Sequence, residues 1–352
     1  LVFKEILMDP TLNRISHADT RPIALWLFVC AVLVFAMVVV GGVTRLTHSG
    51  LSIVEWKPVI GALPPLNEAE WLAEFEKYRE TPEYQKINRG MDLEGFKGIF
   101  WLEYYHRLLG RLIGFVVLVP FLYFWWRKRI PPGFTLRLIG VFALGGLQGA
   151  LGWFMVASGL VDTPRVSAYR LTAHLGLAAV IYAYLLWLML DLLRPTPVAA
   201  APGLRRFAWL VIGAVFVTIL AGGLVAGTRA GFAYNTFPLM GESFFPVGMW
   251  SQQPWWVNLF ENVGTVQFNH RLVAYVLIGV IAAFWWRIRK LALPSDVGAA
   301  NHLLLAALAL QVTLGISTLL LRVPLTLAAA HQGVALLVLS AALYLAHRVR
   351  RA

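Results

Sequence analysis

Eight stretches of this chain, roughly 23–44, 100–126, 137–157, 168–191, 207–228, 265–286, 300–321 and 325–347, are apolar over the length needed to cross the hydrocarbon core of a bilayer, and no other stretch is. Lipid offers backbone N–H and C=O groups no water to bond, so each stretch must satisfy them internally and is expected to be an α-helix. Composition agrees. Of 352 residues, 59% are hydrophobic and 14% charged, with a mean hydropathy of +0.69, which excludes a soluble globular protein. The formal charge of +12 does not point to nucleic acid, because the basic residues gather at the ends of apolar runs.

Those clusters set an orientation. Arg127, Lys128 and Arg129, then Arg194, Arg205 and Arg206, then Arg287, Arg289 and Lys290, then Arg348, Arg350 and Arg351 mark the cytoplasmic ends, with both termini inside. The stretch before Arg21 lacks the short apolar core and cleavage site of a signal peptide, so the first run is expected to be retained. The far side carries a long loop, 45–99, whose centre from Asn67 to Arg89 is predicted as a surface helix capped by Asn67. A second outer loop, Arg229 to Gly264, is rich in aromatic residues, Gly and Pro; Trp250, Trp255 and Trp256 suit either an interfacial belt or a lid. The single cysteine, Cys30, allows neither an intrachain disulfide nor a cysteine metal site.

The second half repeats the first. Gly41-Gly42 followed by Arg45 and Ser49-Gly50 recurs as Gly222-Gly223 followed by Arg229 and Ala230-Gly231. The run from Glu103 through His106-Arg107 recurs from Gln267 through His270-Arg271; Leu147-Gln148 with Leu151-Gly152 recurs as Leu310-Gln311 with Leu314-Gly315; and the end of Thr172-Ala173-His174 recurs in Ala330-His331. Each half has an even number of spans, so both copies share one orientation. The expected fold is therefore an all-α integral membrane protein of eight transmembrane helices, arranged as two pseudo-twofold-related four-helix bundles. Its parts are a cytoplasmic segment 1–22, a first bundle 23–191, a linker 192–206, a second bundle 207–347 and a tail 348–352.

Of the eight histidines, His17, His48, His302 and His347 fall at or beyond span ends, where an exposed imidazole needs no explanation. His106, His174, His270 and His331 instead lie within the second, fourth, sixth and eighth spans, ~5–10 Å below the outer ends at the helical rise. A polar group at that depth is expensive and usually functional, although one alone could be an interhelical hydrogen-bonder. Two imidazoles on facing helices can hold haem iron axially in a four-helix bundle. The pairs His106 with His174 and His270 with His331 give two such sites; zinc is disfavoured because no third donor accompanies either pair. Gly110, Gly114, Gly145, Gly146, Gly149 and Gly152 could make room for a flat ring or serve close helix packing. Arg107 and Arg271 could neutralise haem propionates or snorkel to the interface.

The halves differ in one informative place. Three residues before His106 stands Glu103; three before His270 stands Gln267. A partly desolvated glutamate one turn from an iron ligand can move protons, and glutamine cannot, so chemistry is expected in the first half and electron relay in the second. A solvated Glu103 at the outer boundary is the bland alternative.

At this point the sequence closely resembles the haem A synthase family, from about Arg21 to His347. The likeness rests on Gly-Gly-Val-Thr-Arg-Leu-Thr at 41–47, Ser-Gly-Leu-Ser at 49–52, Glu-Trp-Lys-Pro at 55–58, Glu-Tyr-Tyr-His-Arg at 103–107, Thr-Ala-His at 172–174, Phe-Asn-His-Arg at 268–271 and Ala-His-Gln at 330–332. The resemblance implies oxidation of the C8 methyl of haem O to a formyl group by successive hydroxylation, yielding haem A for cytochrome c oxidase. It implies His106 and His174 around the substrate haem, Glu103 as the catalytic carboxylate, and His270 and His331 on a resident haem b. Haem O synthase and oxidase assembly factors become the expected partners, beside membrane lipid, with a homo-oligomer left open and no nucleic acid. The expected location is the cell inner membrane, multi-pass, with the haem sites near the periplasmic side. The cysteine pairs that some relatives carry in their outer loops are missing, so a mechanism using them cannot apply. Ligand pattern alone leaves open a bis-histidine dihaem b-type electron-transfer protein.

Overall fold

The computed structural model describes residues 20–56, 60–160 and 164–351; the expectations for His17, for Lys57-Pro58 and for most of the segment 1–22 lie outside them. Eight helices are long and apolar enough to cross a membrane: α1 (Arg21–Leu46), α4 (Leu93–Trp126), α5 (Phe134–Ala157), α6 (Ala168–Leu193), α7 (Pro202–Thr228), α8 (Val263–Arg289), α9 (Ser295–Leu320) and α10 (Leu325–Arg348). Between the first two lie α2 (Glu68–Arg79) and α3 (Pro82–Lys86). No β-strand occurs among the described residues.

Several spans begin earlier than their apolar runs because the caps lie outside the run. Asp92 caps α4, its Oδ1 accepting from Gly95 N at 2.8 Å, so the helix begins at Leu93, seven residues before the expected start. Asn262 caps α8 through Thr265 N at 3.2 Å, and α7 opens with Pro202, whose missing N–H is harmless there. The extra turns of α4 bring Phe96, beside Phe100, against Trp71, Phe75 and Tyr78 of α2.

The surface helix predicted over 67–89 is two helices. Asn67 does cap α2, accepting from Glu70 N at 3.0 Å, but the helix stops at Arg79. Thr81 then caps a new one and Pro82 takes its first position, where proline fits a helix start and cannot continue the previous helix.

Within the first half α1 packs on α4 and α6, and α5 packs on α6, while α4 and α5 touch only sparsely. The second half repeats this with α7 on α8 and α10, and α9 on α10. The halves meet through α6 on α7, α1 on α10 and α6 on α10, so α1, α6, α7 and α10 are central and the other four peripheral. Small residues let the central backbones approach: a Cβ on Gly227 would stand 2.5 Å from the Cα of Ala168, and one on Gly223 would stand 3.2 Å from the Cα of Thr172. Gln332 Nε2 donates to Val38 O at 2.8 Å across the seam.

On the face opposite the long loop, His347 departs from expectation. It is fully buried, its Nε2 donating to Asp191 Oδ1 at 2.8 Å, while the Arg350 guanidinium donates to its Nδ1 at 3.0 Å. Asp191 also pairs with Arg137, so this histidine ties α10 to α6 and the start of α5. His48 and His302 are exposed, as expected.

Candidate functional site

His106, His174, His270 and His331 lie on α4, α6, α8 and α10, each some two to four turns from the helix end nearest the long loop. Each ring rests on a glycine of a neighbouring helix. A Cβ on Gly41 of α1 would stand 3.1 Å from His106 Nε2, one on Gly152 of α5 2.9 Å from His174 Cε1, one on Gly222 of α7 3.3 Å from His270 Cε1, and one on Gly315 of α9 2.8 Å from His331 Cε1. Any side chain at 152 or 315 would displace the imidazole.

Two repeat-related glutamines complete the walls. Gln148 Nε2 lies 3.4 Å from His174 Nε2 and donates to the His174 carbonyl at 3.1 Å. Gln311 Nε2 lies 3.4 Å from His331 Nε2, and the Gln311 carbonyl is 3.1 Å from His331 Nδ1. A carbonyl only accepts, so His331 Nδ1 carries the proton and Nε2 presents its lone pair, the tautomer a metal ligand needs.

These residues fit haem. A porphyrin brings four nitrogens of its own and asks the protein for one or two neutral imidazoles in an apolar slot. The fold leaves His174 Nδ1, His270 Nδ1 and the amide oxygens of Gln148 and Gln311 buried without partners, polar groups that a ligand or its water would satisfy. Among the described residues no three His, Cys, Asp or Glu side chains gather to hold a bare metal ion. Of the other glycines named from sequence, Gly114, Gly145, Gly146 and Gly149 face open space, and Gly110 meets Met37.

Glu103 is buried, 3% exposed, and solvent does not reach its carboxylate. Oε2 accepts from Ser52 N at 2.7 Å, Ser52 Oγ at 2.8 Å and Ile53 N at 2.9 Å; Oε1 accepts from Arg107 Nη2 at 2.7 Å and Nε at 3.1 Å. Arg107 reaches on to the carbonyls of Ile53 and Glu55. The pair thus clamps the start of the long loop, where Ser49, Leu51 and Ser52 are buried, over the first half. In the second half Gln267 Nε2 donates to Tyr234 O at 3.1 Å, and Arg271 donates to the carbonyls of Tyr234, Thr236, Pro238 and Leu239. Both arginines proposed from sequence as propionate partners are therefore engaged with loop carbonyls.

Trp250, Trp255 and Trp256 are each more than half exposed. Of the seat glycines, Gly152 is expected from sequence to make room for a flat ring or serve close helix packing, whereas Gly41, Gly222 and Gly315, the glutamines Gln148 and Gln311, and the loop contact Ser52 have no expected role. Their signal was recurrence: apart from Ser52, all stand at matching places in the two halves.

Comparison with known proteins agrees with this arrangement. Residues 24–343 match the model of the family COX15-CtaA, cytochrome oxidase assembly protein. The chain is 57% identical over 340 residues to a protein of Nitrosospira multiformis named heme A synthase, covering 96% of each. It is 54% identical over 334 residues to one of the same name from Nitrosomonas eutropha, covering 93% of this chain and 94% of the relative. A third of that name, from Rhodospirillum centenum, is 52% identical over 337 residues, covering 95% and 90%. Matched by the family model over residues 24–343 and 52–57% identical to relatives covered nearly end to end, the chain belongs to the COX15-CtaA family of cytochrome oxidase assembly proteins.

Proposed function

We propose that the chain is a haem A synthase, an oxidoreductase that converts haem O to haem A by oxidising the C8 methyl to a formyl group. His106 and His174 hold the substrate haem in the first half, and His270 and His331 hold a resident haem b in the second. The observation that carries the reading is the recurrence of one arrangement in both halves: a histidine pair, each ring on a glycine, with a glutamine beside the second ring.

The bound haem supplies the iron and macrocycle chemistry of the oxidation. The chain's own residues position and protect it. Leu51 and Ser52 close the loop side of the first half, and Glu103 holds them there. Glu103 is also the proton acceptor. When its Oε2 takes a proton, the Ser52 hydroxyl can accept from it and turn its own O–H to Ser49 O, 3.1 Å away, so the clamp survives the change of charge. Gln267 has no such capacity, which keeps the second half in electron relay.

The basic helix ends support a cell inner membrane location with both termini cytoplasmic and both haems toward the periplasm. The matching packing of the halves supports two bundles, 23–191 and 207–347, related by a pseudo-twofold axis along the membrane normal. Haem O synthase and an oxidase assembly factor are the expected donors and receivers of the haem.

The test extracts haem from membranes that make haem O, with and without this protein. A new formyl-bearing haem is expected. Retained but unmodified haem would instead mark a dihaem electron carrier.

A further inference from the structure

Arg107 and Arg271 are tied to loop carbonyls, so the carboxylates of any haem held by the histidine pairs need other cations. A second basic group lies at the seam between the halves, on the side of the long loop. Arg45, on the last turn of α1, donates to the Ala226 carbonyl near the end of α7. Arg229, the C-cap of α7, donates to His48 Nδ1 at 3.0 Å. The charge of Arg229 reaches Arg45, and those of Arg165 and Glu83 reach Arg229.

No carboxylate lies within ion-pair distance of Arg45, Arg229 or Arg165 among the described residues. Burial and the charge of Arg165 pull the Arg229 guanidinium below its ordinary range against the opposing charge of Glu83, and burial with Arg229 and Arg45 does the same to the His48 imidazole. Arg229 is moreover held at φ 58°, the left-handed region that a non-glycine residue enters at a cost. Glu83 is the carboxylate whose charge reaches Arg229, and it does not form an ion pair with it, so two half-buried guanidinium groups, Arg45 and Arg229, share one distant anion and are relieved by an anionic ligand.

The seam is adjacent to both histidine pairs. Arg45 stands one turn from Gly41, the seat of His106, and its guanidinium rests on Ala226, one turn from Gly222, the seat of His270. Arg45 stands four residues after the seat glycine of its half and Arg229 seven after its own, so in the repeat Arg229 takes the place of His48.

We propose that Arg45 and Arg229, with Arg165 and His48 at the rim, form the site that binds the propionate carboxylates of haem. This rests on the haem reading above. It also bears on regiochemistry: the C8 methyl shares a pyrrole ring with one propionate, so fixing that carboxylate helps select which methyl faces Glu103.

The experiment uses the full chain, purified in detergent from cells blocked in haem synthesis and titrated with hemin or with hemin dimethyl ester, whose carboxylates are masked. The Soret band reports binding. Wild-type protein is expected to bind hemin about tenfold or more tighter than the ester, and R45Q/R229Q to lose most of that preference, while R45K/R229K keeps part of it. Excess inorganic phosphate should weaken hemin and leave the ester untouched.

A wild-type ratio near one overturns the proposal without any variant, as does a ratio that the glutamine substitutions leave unchanged. Phosphate that shifts the thermal transition yet leaves hemin affinity intact would mean a free-anion site and also overturns it. Failure of both porphyrins to bind sinks the haem reading itself, a result distinct from equal binding of the two.

Discussion

Arg107 Nη2 lies 2.7 Å from Glu103 Oε1, one turn away on α4, and the pair is buried together beneath the start of the long loop. The equivalent pair, Gln267 and Arg271, makes the same kind of tie with the donor reversed, because the loop offers Gln267 a carbonyl where it offers Glu103 two N–H groups. The glutamate is thus matched to its loop as well as to proton transfer. Glu103→Gln leaves one acceptor oxygen for five donors, so it should both slow chemistry and loosen residues 49–55. We expect both haems to stay bound while haem A formation falls about 10²–10⁴-fold. Normal haem A output from this variant would falsify the proton role; hydrogen exchange across 49–55 would separate a loosened clamp from lost chemistry.

The glycine seats make a prediction with an internal control. A methyl at Gly315 would stand 2.8 Å from the His331 ring and one at Gly152 2.9 Å from the His174 ring, against 3.3 Å at Gly222. Overpacking of this kind costs ~1–3 kcal/mol. Gly315→Ala should therefore lower retained haem b, and Gly152→Ala should weaken haem in the first half, each by roughly tenfold, with Gly222→Ala milder. Haem content after purification, measured as the pyridine haemochrome, tests the order. Equal retention by all three variants would show that the rings have room to move.

Replacement of His270 or His331 by Ala should empty the second half of haem while leaving the spans inserted, since neither ring bonds across the seam. The purified variant should lose the haem b signal and with it turnover. An unchanged haem b spectrum from either variant would remove that histidine from the ligand set.

Much of this was legible in the chain because lipid is a strict solvent. Apolar length gave all eight spans, and the cost of a buried imidazole singled out the four histidines. Ends were less legible, since Asp92, Asn262 and Pro202 set them from outside the apolar runs. The break at Thr81-Pro82 carried its own signal, a capping hydroxyl before proline, hidden inside a charged stretch that reads as one helix. The seat glycines could be found as repeats but not as seats, because a glycine's role depends on what faces it across a helix pair. His347 was missed for a similar reason: its partners, Asp191 and Arg350, are on another helix and at the chain's end.

Glu83 offers a test of the long loop by pH. It lies on α3, 4% exposed, with Oε2 unpartnered. Burial and the charge of Glu103 on α4 push its carboxyl up to about 7, while the Tyr78 hydroxyl of α2 and Arg229 at the end of α7 oppose the rise. A raised carboxyl binds its proton more tightly in the folded state, so stability is full below the ordinary carboxylate range and is lost as pH climbs toward about 7. The loss amounts to at most ~3.5 kcal/mol by the size of the shift. Protease resistance of the loop should therefore fall between pH 5 and about 8 in the wild type, and Glu83→Gln should flatten the profile by strengthening the loop at the alkaline end. Arg229→Gln should steepen it, because the one cation favouring ionised Glu83 is then gone. Parallel profiles for wild type and Glu83→Gln would place the titrating group elsewhere.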